Sequence, residues 1–237
     1  MEKFREVFKN RHVVLPVIHV KDLKQVLLNI AVTKNAGADG VFLINHKIPN
    51  KKLLDIYQFA SDKFPGFWIG INLLGLKPFR VFDTIFKKGF RVQGVWTDNA
   101  MIDESSEYKY QDEPEKIKRY FSMDGWKGLY FGGVAFKYQR QVHDVGRAAK
   151  IAARYMDVVT TSGRVTGEAP EIEKIRRMRQ AISGKPLAIA SGITPDNVSD
   201  YLEADCFLVA TGISSDFYTL DEAKTRRLIE MVRQGGC

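Results

Sequence analysis

Cysteine is scarce in this chain: there are two, Cys206 inside an apolar run and Cys237 at the end, after Gly235-Gly236. A disulfide framework needs more than that, so a reducing, cytoplasmic setting is expected. Long apolar runs are also missing. No stretch approaches the roughly 18 residues that span a bilayer, and the opening MEKFREVFKN is charged and carries no apolar signal core. A membrane span is not expected. The four histidines show no HxH or HExxH spacing, so no metal is expected even though His19, His46 and Asp98 are suitable ligand types. No GxGxxG follows the first β-branched run, which argues against a doubly wound dinucleotide-binding sheet and leaves no cofactor implied. Charge of one sign is not concentrated. Lysine plus arginine (36) exceed aspartate plus glutamate (28), giving +8, but Lys174, Arg176, Arg177 and Arg179 are interleaved with Glu171 and Glu173. Without an aromatic-studded basic stripe this is a solvated helix face, not a nucleic-acid surface. The surplus charge still steers anionic small molecules.

What the chain does have is alternation. Val13 to Val20 (VVLPVIHV) is a β-branched run, and Leu23, Val26, Leu27 and Ile30 then repeat at helical spacing. The same pairing recurs: Gly40 to His46 before Leu53–Ala60, Phe67 to Leu74 before Pro78–Lys88, and Val92 to Thr97 before a long polar segment, Asp103 to Pro114, and a helix to about Phe121. Leu129 to Ala135, interrupted by Gly132-Gly133, precedes Val142–Tyr155, and Asp157 to Thr161 precedes Pro170–Ile182. Two more runs, KPLAIA and CFLVA, precede the closing helix from Asp221 to Val232. About eight units with nearly continuous apolar strands predict a parallel sheet covered by helices, and eight strands close into a (β/α)₈ TIM barrel of about 250 residues. One domain over residues 1–237 is expected.

The stretch from Lys185 to Ser214 holds the clearest functional signal. Its two apolar runs end in the small-residue turns Ser191-Gly192 and Thr211-Gly212. Between them Thr194, Pro195 and Asp196 carry the signature of a helix start: cap, fixed φ and a negative charge at the dipole's positive end. Glycine turns facing helix N-termini bind anions, and the loops after the last two barrel strands are where phosphate commonly sits. Just before them, SGRVTGEAP adds Ser162, Gly163, Thr166 and Gly167, with Arg164 as a fork of donors for phosphate.

In a barrel of this kind the chemistry is carried at the C-terminal ends of the strands. His19, near Asp22, and Asp98 are the expected acid and base. His46, Asn72, Thr161, Ser162, Gly163 and Thr166 are expected to contact substrate, and Ser191, Gly192, Thr211, Gly212 and Arg164 its phosphate. Lys137 is the lysine available for Schiff-base chemistry, although it reads as a surface residue.

The run from Asp157 to Ser214 resembles the BtpA family of photosystem I biogenesis-type TIM barrels, and VIHV with His19 looks like that family's first strand. The likeness is strongest in the C-terminal third and departs between about Gly70 and Tyr138, where this chain has INLLGLKPF and VWTDNAMIDES. The resemblance implies a phosphate-site barrel and a role in photosystem assembly. Similar SG and TG loops also occur in phosphoribosyl-binding barrels such as phosphoribosylanthranilate isomerase. Two functions are therefore expected to compete. One is an isomerase, lyase or phosphoribosyl transferase acting on a small phosphorylated metabolite, the other a non-catalytic assembly or regulatory protein. The expected partner is an anionic ligand bearing phosphate, and a homo-oligomer is compatible with either function.

Overall fold

A computed structural model describes residues 2–106 and 111–235. Eight strands pair in chain order, each parallel to the next: β1 Val13–Val20, β2 Gly40–Asn45, β3 Trp68–Asn72, β4 Gly94–Thr97, β5 Leu129–Gly133, β6 Val158–Thr161, β7 Leu187–Ile189 and β8 Cys206–Val209. Pairing of Val13 with Cys206 and Pro16 with Val209 closes the ring between β1 and β8. The helices are α1 Glu2–Val7, α2 Leu23–Asn35, α3 Asn50–Lys63, α4 Pro78–Lys87, α5 Asp112–Asp124, α6 Val145–Ala152, α7 Ile172–Ala181 and α8 Glu222–Gln234. This is a single (β/α)₈ TIM barrel, as the alternation predicts.

Burial on both faces explains why the strands read as unbroken apolar runs. Every residue of β2 to β8 is buried, and in β1 only His19 is not. Leu15, Phe42, Trp68, Trp96, Phe131 and Leu208 help fill the barrel interior. Trp68 fits there because Gly70 and Gly94 leave room: a Cβ at either would lie 2.3 Å from the Phe42 or the Trp68 ring, respectively. The N-terminal end is closed by α1, whose Phe4 ring lies 6.5 Å from Phe131, while Phe8, just after the helix, lies 5.2 Å from Trp68.

Three helices are capped by aspartate, with Asp22, Asp144 and Asp221 accepting from the amides of Gln25, Arg147 and Lys224, and the helix expected from about Val142 starts at Val145. The helix expected from Thr194 is not there. Asn197 accepts from the Thr194 amide at 2.9 Å and donates to Gly192 O at 2.9 Å, which closes a turn and leaves only a 3₁₀ segment, Val198–Tyr201. A side chain that bonds the nearby backbone competes with the helix in this way. Gly132 and Gly133 do not interrupt β5. Both belong to it and give room to neighbours: a Cβ on Gly132 would lie 2.6 Å from Met156 Sδ, and one on Gly133 1.9 Å from Asp98 O. Part of the polar segment from Asp103 to Pro114, residues 107–110, lies outside the described residues, as does Cys237. Cys206 is free and buried. Among the described residues no helix is long and apolar enough to cross a membrane.

Candidate functional site

The C-terminal ends of the strands open on a cavity of about 340 Å³. Its floor is apolar, with Val17, Ile44, Trp96 and Leu208, and its rim carries Phe217. One wall is polar and titratable: His19 from β1, His46 just past β2, Asp98 just past β4 and Lys137 from the segment after β5. The other wall is made of small residues from three successive turns, Thr166-Gly167, Ser191-Gly192 and Thr211-Gly212.

Each wall has an identifiable cause. His19 is oriented by Phe217, whose carbonyl lies 3.1 Å from Nδ1 and whose ring centre lies 4.2 Å from the imidazole. His46 packs edge-on to His19 at 4.8 Å. Burial, with His46 and Lys137 beside it, takes His19 down to about 4, so it is a neutral base at neutral pH. Burial also lowers His46, with Asp98 opposing. Asp98 accepts from Asn72 Nδ2 at 2.9 Å, yet burial still pushes its carboxyl up. Lys137 is lowered by burial, which outweighs the attraction of Asp98. Burial thus shifts Asp98 and Lys137 toward neutral pH, the direction that suits proton transfer, and shifts the two histidines away from it.

In the small-residue wall, a Cβ on Gly192 would lie 2.0 Å from Ala169 N, and one on Gly212 2.1 Å from Ile193 O. The glycines are therefore needed first for loop packing. The packing nevertheless leaves the amide N–H groups of Gly192, Thr211 and Gly212 without a hydrogen bond to the described residues. Ser191 Oγ is engaged, accepting from Gly167 N at 3.2 Å.

The expected site residues divide into three groups. His19, His46, Asp98, Thr166, Ser191, Gly192, Thr211 and Gly212 line the one cavity. Asn72 and Thr161 support it from behind: both are buried, Asn72 holding Asp98 and Thr161 donating to Ala135 O at 3.3 Å. Ser162, Gly163 and Arg164 border a different opening of about 480 Å³, between the 135–143 segment and the start of α7. Ser162 Oγ accepts from Lys137 N at 2.8 Å, and a Cβ on Gly163 would lie 2.3 Å from Glu168 O, so both shape the loop. Arg164 is not brought to the phosphate turns. It pairs with Glu171 at 2.9 Å, and its side chain is 82% exposed. Asp22 is spent as the α2 cap and does not partner His19.

Lys137, read from the sequence as a surface lysine, is half-buried in the polar wall. Tyr138, the alternative to Lys137 at this strand end, also lines the cavity, and Trp96 and Phe217 are further contributors that sequence reasoning passes over. Only the position of Lys137 shortly after β5 signals a place at the mouth. Among the described residues no group of three or more His, Cys, Asp or Glu is arranged to hold a metal.

The fold is shared with solved structures at low identity. GGGPS from Thermoplasma volcanium superposes with a TM-score of 0.67 at 14% identity, covering 98% of this chain and 96% of that one. Phosphoribosyl anthranilate isomerase from Thermus thermophilus gives 0.62 at 13%, covering 94% and 98%. A native KDPGal structure gives 0.67 at 11%, covering 96% and 98%. Such identities establish the barrel alone. No curated protein matches the chain in sequence. The family model for the BtpA family matches residues 93–234. That match takes in VWTDNAMIDES, where the resemblance was expected to weaken, and stops short of His19. Since the match covers well over half of the sequence, the chain belongs to the BtpA family.

Proposed function

We propose that this barrel binds a small phosphorylated metabolite with its phosphate at the turns after β7 and β8, and acts on the far end of that molecule as an isomerase, lyase or phosphoribosyl transferase. One observation carries the reading: the unbonded amides of Gly192, Thr211 and Gly212 share a single cavity with Asp98, Lys137, His46 and His19. Free backbone donors favour an anion, and a phosphate anchored there lends its binding energy to positioning the reacting end. Asp98 and the neutral His19 are the groups that move protons. Arg164, held by Glu171, has no part in this arrangement.

The test is thermal unfolding with inorganic phosphate, ribose 5-phosphate, phosphoribosyl pyrophosphate and nucleotides. A ligand at a hundred times its Kd adds about 2.7 kcal/mol. For a chain of this size that is a rise of about 5–11 °C in Tm. No shift with any of them sinks the proposal. A shift without turnover of any such compound points to the assembly or regulatory alternative.

A further inference from the structure

The phosphate proposal leaves the amine of Lys137 without a task. The backbone that carries it is held in a costly shape, with Ala135 at φ 49° and Tyr138 at φ 60°. Left-handed backbone at a non-glycine residue is strained and persists only where the surroundings enforce it. They do so here. Lys137 N donates to Ser162 Oγ at 2.8 Å, Lys174 Nζ donates to Ala135 O at 2.5 Å, and the Tyr138 hydroxyl bonds Thr166 Oγ1 at 3.2 Å. Phe136 is buried, with its ring 6.1 Å from that of Trp96. The Lys137 side chain thus enters the cavity from a backbone fixed on both sides, its Nζ 5.6 Å from the centre of the Phe136 ring.

Two half-buried lysines stand close to this segment, and they differ in one respect. Lys174 is tied by two carbonyls, Ala135 O and Ser162 O, and is structural. The Lys137 amine has no hydrogen bond and no ion pair among the described residues, although Asp98 lines the same cavity. An unpaired amine and a carboxylate lining one cavity call for a ligand that engages the amine.

We propose that Lys137 is a nucleophile that forms a Schiff base with the carbonyl carbon of a phosphorylated aldehyde or ketone held at the turns after β7 and β8. This rests on the phosphate reading and narrows it to carbonyl chemistry. Asp98 takes one proton from the ammonium, and the freed Nζ adds to the carbonyl carbon. A C–N bond forms while the C=O π pair moves to oxygen. That oxygen takes a second proton from the nitrogen to give the carbinolamine. Asp98 then returns its proton to the hydroxyl, the C–O bond breaks, and water leaves as the nitrogen pair closes C=N. Two of the three ammonium protons depart in the water and the third stays on the iminium. Burial of Lys137 favours the free amine this addition needs.

The test is reductive trapping. The full chain is incubated with dihydroxyacetone phosphate, glyceraldehyde 3-phosphate or unphosphorylated glyceraldehyde, reduced with cyanoborohydride and mapped by peptide mass spectrometry. The expected result is an adduct at Lys137 at least tenfold above that at Lys174 or exterior lysines, and at least tenfold greater with the phosphorylated carbonyls. Inorganic phosphate competes it away and K137R abolishes it, with K137M as a second variant should K137R not fold. D98N slows adduct formation at least tenfold. Absence of adduct at Lys137, or modification spread evenly over lysines, overturns the inference. If phosphate still raises Tm in that case, the phosphate reading stands alone. If it does not, both fall.

Discussion

Substituting Gly192 by alanine separates glycine kept for packing from glycine kept for a ligand. Gly192 has φ 66°, and a Cβ there would lie 2.0 Å from Ala169 N and 2.2 Å from Glu168 C, both backbone atoms. The left-handed conformation costs alanine about 1 kcal/mol. Relief of the overlap requires the 163–169 loop to move, a cost of about 1–3 kcal/mol for overpacking. Gly167 is the internal control: its φ is 86°, but a Cβ would meet nothing within 4 Å. At about 2–4 °C per kcal/mol for a chain of this size, Gly192→Ala lowers Tm by about 4–16 °C and Gly167→Ala by about 2–4 °C. Circular dichroism melts without ligand decide it. Equal losses in the two variants would refute the packing argument, and a loss at Gly192 seen only with phosphate present would show that the ligand alone requires glycine there.

Other substitutions probe the polar wall and the closed end. Because burial pushes Asp98 up, the folded chain holds that proton longer than the unfolded one, and stability falls as pH rises through 3.8 toward the folded value. Asp98→Asn keeps an acceptor for Asn72, so at pH 7 it gains about 0.5–2 kcal/mol while losing turnover; a destabilised variant contradicts this. His19 titrates near 4 instead of 6.5, so between those values the unfolded chain binds the extra proton and stability rises with pH. His19→Gln flattens that slope in urea melts, and an imidazole NMR midpoint near 6.5 would refute the assignment. Phe4, 1% exposed, closes the barrel's N-terminal end. Phe4→Ala costs about 3–5 kcal/mol in urea unfolding, and a loss below about 1 kcal/mol would mean that α1 does not plug the barrel.

The strands were legible because a parallel barrel buries them on both faces, so VVLPVIHV needs no alternation to be recognised. Helix α1 was not: Phe4 and Phe8 stand among charges in MEKFREVFKN, and nothing local says that a barrel end lies beneath them. The helix start at Thr194 carried every expected residue type, yet Asn197, three positions on, supplied a competing set of backbone bonds.

At the site, the rim positions of His19 and Asp98 follow from strand ends alone. The reasons behind Gly163, Gly192 and Gly212 do not, because each faces backbone that is not its chain neighbour: Glu168, Ala169 and Ile193. Arg164 and Lys137 show the same limit for long side chains. Sequence places both at the mouth, but Glu171 draws the first outward, while the Ser162 and Thr166 contacts aim the second inward.

The central claim is that phosphate is held by the turns after β7 and β8. Titration of the ¹⁵N-labelled chain with inorganic phosphate, followed by amide NMR, tests it most directly. The account predicts saturable shifts concentrated at Gly192, Thr211 and Gly212. Shifts confined to the exposed arginines around the neighbouring opening, such as Arg164 and Arg177, or no saturable shift at those three amides, would contradict it.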